Sequence, residues 1–227
     1  MLARMLQYDR TLRAFATSLA FLAGFVDAIG FLKTGGFFIS FMSGNSTRLA
    51  VSLAARTEAW VFALSLIALF LGGVILGSLL PPLAGPRRKV AAVALMAALL
   101  LSAAVWQALG WDRPTIASLA LAMGAANTIF QRNGEVSIGV TYMTGTLVKI
   151  GQRMSDALRG GDRTAWVPYL LLWIGMMAGA VTGASLFSWS PTLSLWGIAT
   201  AAMLMVAVAF RVTRGLAVEP HVEIVVH

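Results

Sequence analysis

Six stretches of 16 to 24 residues, nearly free of charge, constrain this chain more than any other feature. They are Thr11–Lys33, Glu58–Leu80, Val90–Gly110, Thr115–Phe130, Thr164–Phe187 and Leu193–Arg211. A helix needs roughly 20 mostly apolar residues to cross the hydrocarbon core of a bilayer. The chain is 59% hydrophobic and 11% charged, where a soluble domain has roughly 45–50% and 25%. The expected class is an all-α integral membrane protein. Residues 1–227 read as a single membrane domain, with a short polar tail at 216–227. The first apolar run is long enough to span and lacks a clear cleavage site, so no separate signal peptide is expected.

The polar inventory excludes several chemistries. There is no cysteine, which removes disulfides, thiolate metal sites and cysteine nucleophiles. The two histidines, His221 and His227, lie in the tail and read as solvated. The net charge of +8 is gathered at the ends of apolar runs, which is a topology signal rather than a nucleic-acid surface. Trp60, Trp106, Trp111, Trp166, Trp189 and Trp196 fall near segment ends, as an interfacial belt would place them.

Two further stretches, Gly35–Ala55 and Val136–Ala157, are long enough to span but carry polar residues in their middles. They are related. Phe41-Met42-Ser43-Gly44 matches Tyr142-Met143-Thr144-Gly145 at an offset of 101 residues, and Arg48-Leu49 matches Lys149-Ile150 at the same offset. Gly24-Phe25-Val26-Asp27 faces Gly124-Ala125-Ala126-Asn127 at an offset of 100, and Gly73/Gly77 faces Gly179/Gly183. Four landmarks in one order define two related halves, about 11–112 and 113–215.

If the polar-centred stretches cross the membrane, there are eight crossings and the halves are parallel. If they dip in and return, six helices span and the halves are inverted repeats. Six crossings with an inside N-terminus place thirteen Lys and Arg inside and leave Lys33, Arg48, Arg56 and Arg113 outside. Eight crossings give about twelve against five and put the dense Arg87-Arg88-Lys89 loop outside. The positive-inside rule favours the inverted arrangement, by a small margin, with both termini cytoplasmic.

Phe37–Phe41 is β-branched and aromatic, and reads as extended. Ser43 or Asn45 is then expected as an N-cap, with a helix over Thr47–Ala55. In the second half Val140-Thr141-Tyr142 is the extended part, Thr144 the cap and Leu147–Leu158 the helix. Such a broken segment must be buried in protein or line a watered cavity. A helix beginning there offers unpaired N–H groups and a positive dipole end. Gly44 and Gly145 leave room beside those donors, and Arg48 and Lys149 add charge one turn in. Ser43, Gly44, Asn45, Arg48, Thr144, Gly145, Thr146 and Lys149 are therefore candidate substrate-binding residues for an anion or a carbonyl-bearing solute. The plain alternative is that these small and hydroxylic residues only pack helices together.

Asp27 is the one acid well inside an apolar run. A charge at a helix centre costs roughly 2.5–3.5 kcal/mol on insertion scales. Asp27 is expected to pair with Arg48 or with the polar backbone of the broken segment, or else to couple a proton or cation. Its counterpart Asn127 keeps hydrogen-bonding capacity without charge, and both join the candidate site. Gly73/Gly77 and Gly175/Gly179/Gly183 read as close helix packing. With no histidine in the membrane stretches and no acidic partner for Asp27, an enzyme is not expected.

The segments "AGFVDAIGFL" and "FISFMSGNSTRLA", followed by "MGAANTIF" and "VTYMTGTLVKIG", resemble the bacterial YoaK family of multi-pass inner-membrane proteins, a domain of unknown function. The resemblance covers about residues 12–212. It implies a bacterial cytoplasmic membrane location and a single domain, and it assigns no residue a role. The functional expectation is a small-solute transporter or channel with a central polar site between two half-helix N-termini. The alternative is a non-transporting lipid-binding or accessory protein. The expected partners are a small-molecule solute and the lipid bilayer, with room for a homo-oligomer and no nucleic acid; no cofactor or metal is expected.

Overall fold

Glycine and proline set where the apolar runs stop being helices. In the computed structural model, which describes residues 10–132, 135–136 and 141–216, the first helix α1 (Arg10–Lys33) ends at Gly35, whose φ is +68°. The Gly36 N–H then reaches back to the Phe31 carbonyl at 2.8 Å, the closing bond of a Schellman turn. Helix α3 (Ala59–Leu79) stops before Pro81 and Pro82, and a short 3-10 stretch over Pro81–Arg87 leads into α4 (Arg88–Ala108). Helices α7 (Val167–Trp189) and α8 (Pro191–Leu216) meet at Ser190 and Pro191. By length and composition, five helices among the described residues are apolar enough to cross a membrane: α1, α3, α4 with its 3-10 lead, α7 and α8.

The sixth expected span, Thr115–Phe130, is helical over a different range. Helix α5 covers Asp112–Ala126, fifteen residues, ten of which are buried. After Ala126 the chain tightens into a turn, with the Asn127, Thr128 and Ile129 N–H groups each bonding the carbonyl three residues back. The Thr128 hydroxyl bonds the Gly77 carbonyl on α3 at 3.0 Å, which draws the chain out of the helical path. The two polar-centred stretches hold short helices, α2 (Met42–Ala54) and α6 (Met143–Leu158). A two-residue antiparallel pairing, Gln131–Arg132 with Glu135–Val136, lies between α5 and α6.

Glycines seat the long helices in pairs. On α7, Gly175, Gly179 and Gly183 rest on the α1 backbone at Thr17, Phe21 and Phe25. On α3, Gly73 and Gly77 rest on α5 at Leu121 and Ala125. A β-carbon at Gly179 or Gly73 would overlap the facing carbonyl oxygen of Phe21 or Leu121, so the close packing expected of these glycines is what they provide. The contact positions in the two pairs keep the repeat spacing, and both ladders ascend together. Helix α1 therefore runs parallel to α7, and α5 parallel to α3, each half gripping a helix of the other.

The counterpart helices α1 and α5 run antiparallel. The ring of Phe15, near the start of α1, meets that of Phe130, just past the end of α5, edge to face at 6.1 Å. At the other end Lys33 bonds Asp112, the first residue of α5, and the Gln107 side-chain oxygen at 2.7 Å. Since α3 is parallel to α5, it starts at the level where α1 ended. Helix α2 fills that link without travelling the length of α1. By the same reasoning α7 starts where α5 ended, with α6 in the link.

Candidate functional site

Beyond Gly36 the chain turns back along α1, and Asp27 holds it there. Ile39 lies over Gly30, where any side chain on α1 would collide with it. The Asp27 Oδ1 accepts the Ile39 N–H at 2.7 Å and the Ser40 N–H at 2.8 Å. Asp27 is 6% exposed, with Val26, Ile29 and Ile39 around it wholly buried. It sits six residues before the end of α1, so the returning strand reaches about 9 Å below Lys33 at 1.5 Å per residue. Asn45 completes the arrangement. Its Oδ1 accepts the Phe38 N–H at 3.0 Å and its Nδ2 donates to the Phe38 carbonyl at 2.6 Å. Non-helical backbone at membrane depth has to be paired within the protein, and Asn45 pairs both groups of Phe38.

The second half repeats the plan with neutral groups. Asn127, 3% exposed, donates from Nδ2 to the Met123 carbonyl at 2.9 Å and accepts the Thr141 hydroxyl on Oδ1 at 3.0 Å. Ser40 and Thr141 each precede an aromatic residue that turns the chain into its helix. Phe41 has φ −87° and ψ 76°, with the Met42 N–H bonding the Ser40 carbonyl at 3.1 Å. Tyr142 has φ −85° and ψ 58°, with the Met143 N–H bonding the Thr141 carbonyl at 3.0 Å. Both are inverse γ-turns.

This entry turn corrects the expected helix starts. Helix α2 begins at Met42 rather than Thr47, and α6 at Met143 rather than Leu147; neither has a side-chain cap. Ser43, Asn45 and Thr144 lie inside helices instead of capping them, because the γ-turn has already set the entry direction and Asn45 is engaged by Phe38. Asp27 and Arg48 form no ion pair. Two backbone amides already bond the carboxyl group, and Arg48 extends over the Phe37 ring, its guanidinium carbon 5.1 Å from the ring centre. Gly44 does not face open space: a β-carbon there would lie 2.7 Å from the Phe41 ring and 3.0 Å from the Phe38 ring. Thr146 is buried and bonds its own helix at the Tyr142 carbonyl, 3.1 Å away. Ser43 and Thr144 are exposed, and Gly145 and Lys149 half-buried.

The two motifs do not meet across one central space. Helix α2 packs on α3 and α6 on α7. From the Lys33–Asp112 and Phe15–Phe130 contacts, Asp27 and Asn127 differ in depth by about 13 Å. Val140 and the tail histidines His221 and His227 lie outside the described residues. Among the described residues there is no cluster of three or more metal-binding side chains. The structure adds Ser40 and Thr141, which the sequence reading passed over. Extending the 101-residue offset one position upstream of Phe41 and Tyr142 would have found them. It also adds Lys33 with Gln107 and Asp112, beside the stacked rings of Trp106 and Trp111. That cluster has no signature in sequence because it joins residues more than seventy positions apart.

The family model described as "Protein of unknown function (DUF1275)" matches residues 15–210. The chain is 35% identical over 201 residues to the UPF0700 transmembrane protein RA0705 of Rhizobium meliloti (strain 1021), covering 88% of this chain and 87% of that protein. It is 30% identical over 151 residues to the UPF0700 transmembrane protein YoaK of Bacillus subtilis (strain 168), covering 62% and 66%. No solved structure matches it.

Proposed function

The chain belongs to the DUF1275 family, and we propose that it is a small-solute transporter built as an inverted repeat. The observation that carries this reading is the antiparallel course of α1 and α5, the counterpart helices of two related halves. Their broken segments enter from opposite faces, and each brings paired polar backbone and buried side-chain amides to membrane depth. Inverted repeats with discontinuous helices are a recurring transporter plan. The solute path runs between the segment at Asp27 and the segment at Asn127, rather than through one site lined by both helix starts. Residues Ser43, Arg48, Thr144 and Lys149 stand along it with donors and positive charge, which suits an anionic or carbonyl-bearing solute. The membrane is the bacterial inner membrane, with six crossings and cytoplasmic termini. The same residues lend nothing to a hydrolytic reading, because Asp27 is engaged by two backbone amides.

Single cysteines introduced into this cysteine-free chain test the topology. Positions 35 and 110 should react with an impermeant thiol reagent from one face, and positions 85 and 160 from the other. Labelling of 85 and 110 from the same side would end the inverted reading. Uptake into proteoliposomes, across small organic anions and nucleobase-like compounds, tests transport itself.

A second reading has its own observation. A groove of about 330 Å³ lies between α1, α7 and α8, lined mainly by apolar atoms and including Thr17, Phe21, Gly175 and Met205. A protein that holds lipid without transporting would use such a groove. It would show no uptake of any solute, while retaining bound lipid through purification.

A further inference from the structure

The repeat supplies its own control for Asp27. Asn127 stands at the matching position and does the matching work: it accepts a bond from the returning strand on Oδ1 and donates from Nδ2 to its own helix at Met123. A neutral amide is sufficient to tether a broken segment to its helix. The carboxyl group at Asp27 is therefore not explained by tethering.

Its surroundings suit an uncharged acid. Both short backbone bonds fall on one oxygen, Oδ1; the carbonyl oxygen of an acid can accept them, and although such bonds favour the charged form, they supply no counter-charge. A protonated aspartic acid then has the same acceptor-and-donor outline as asparagine.

Among the described residues, no cation neutralises the site. On α1, Lys33 is turned to Gln107 and to Asp112 of α5. On α2, Arg48 lies over Phe37. Arg113 stands at the Asp112 end of α5, and α7 offers only Tyr169, near its far end, since Phe25 beside Asp27 meets Gly183. On α8, Arg211 is near the far end as well. A carboxylate buried away from water without a cation is strongly disfavoured against its neutral form.

We propose that Asp27 is a proton-binding site, neutral in the conformation seen here, whose deprotonation opens the seam between α1 and residues 37–41 to water. The O–H bond of the acid breaks, the proton passes to water, and the carboxylate left behind draws hydration that the closed seam excludes. Only in naming the proton as the coupling ion does this rest on the transporter reading; the protonation is measured without any solute.

Ile39, wholly buried against α1, is the reporter. In an Ile39→Cys variant, the labelling rate with an impermeant maleimide is followed from about pH 6 to about pH 9, beside the same cysteine in an Asp27→Asn background. The second background removes the thiol's own ionisation from the comparison. The ratio of the two rates should rise by about tenfold across the range, with Asp27→Asn remaining closed throughout. A ratio that is flat, or that rises towards low pH, overturns the proposal. Infrared spectroscopy of the unmodified protein gives an independent reading, in case Asp27→Asn does not accumulate. The carbonyl band of a protonated carboxylic acid should be present near neutral pH and fade as pH rises. Absence of that band at every pH would equally refute it. Loss of the proton effect with the labelling topology intact would leave the transporter reading standing, whereas labelling of 85 and 110 from one face would remove that reading and leave the proton result untouched.

Discussion

The first broken segment and the second enter their helices through the same turn, yet they are fastened differently. Both pass through an inverse γ-turn at an aromatic residue, Phe41 or Tyr142, and both are tied by the residue before it to a polar side chain on the preceding helix or at its end. The first adds a clamp not found among the described residues of the second. Asn45 bonds both backbone groups of Phe38, whereas Thr146 at the matching position bonds only its own helix. The shared turn is a backbone solution available to many sequences. The side-chain tethers were free to diverge, provided that every buried polar group still found a partner.

The largest difference should come from removing the two matched side chains. Asn45→Ala orphans the N–H and the carbonyl of Phe38, at about 1–3 kcal/mol for each unsatisfied buried group. Thr146→Ala loses one intrahelical bond whose carbonyl partner is already in the helix, a cost of about 0.5–1.5 kcal/mol. Thermal unfolding in detergent should therefore show a clearly larger fall in midpoint for Asn45→Ala. Equal shifts would mean that the clamp carries no weight.

A smaller effect is expected at Gly44. The added methyl meets aromatic rings rather than backbone, and rings can turn aside, so the cost should fall near the lower end of about 1–3 kcal/mol for overpacking. If Gly44→Ala instead leaves the unfolding midpoint unchanged and abolishes solute uptake, the glycine faces the solute after all.

The smallest change distinguishes the helices themselves. Gly151 in α6 has open space where a β-carbon would go, and α2 carries Ala50 at the matching position. Gly151→Ala should raise stability by about 0.5–1 kcal/mol through helix propensity alone. A loss of stability there would show that α6 makes a close contact that α2 does not.

Much of this architecture is legible in the residues. The apolar runs locate the long helices to within a few residues, because a bilayer demands length and apolarity whatever the neighbours are. The glycine pairs announce close packing, and the polar motifs mark where helices break. The start of α2 was misplaced because Ser43 and Asn45 look like caps, whereas an aromatic γ-turn leaves no residue-type signature. The early end of α5 was missed because Thr128 leaves the helical path for the Gly77 carbonyl, a partner 51 positions away.

By itself the sequence determined that the chain is a multi-pass helical membrane protein of two related halves, with one broken segment in each. The antiparallel course of α1 and α5 was decided only by tertiary contacts, since an offset of 101 residues records separation along the chain and carries no orientation. That came from Phe15 against Phe130 at one end of α1 and Lys33 against Asp112 at the other. The partner of Asp27 was likewise a matter of tertiary structure. Arg48 was the visible candidate because it has a charge to read, but backbone amides, which every residue other than proline possesses, reached the carboxyl group first.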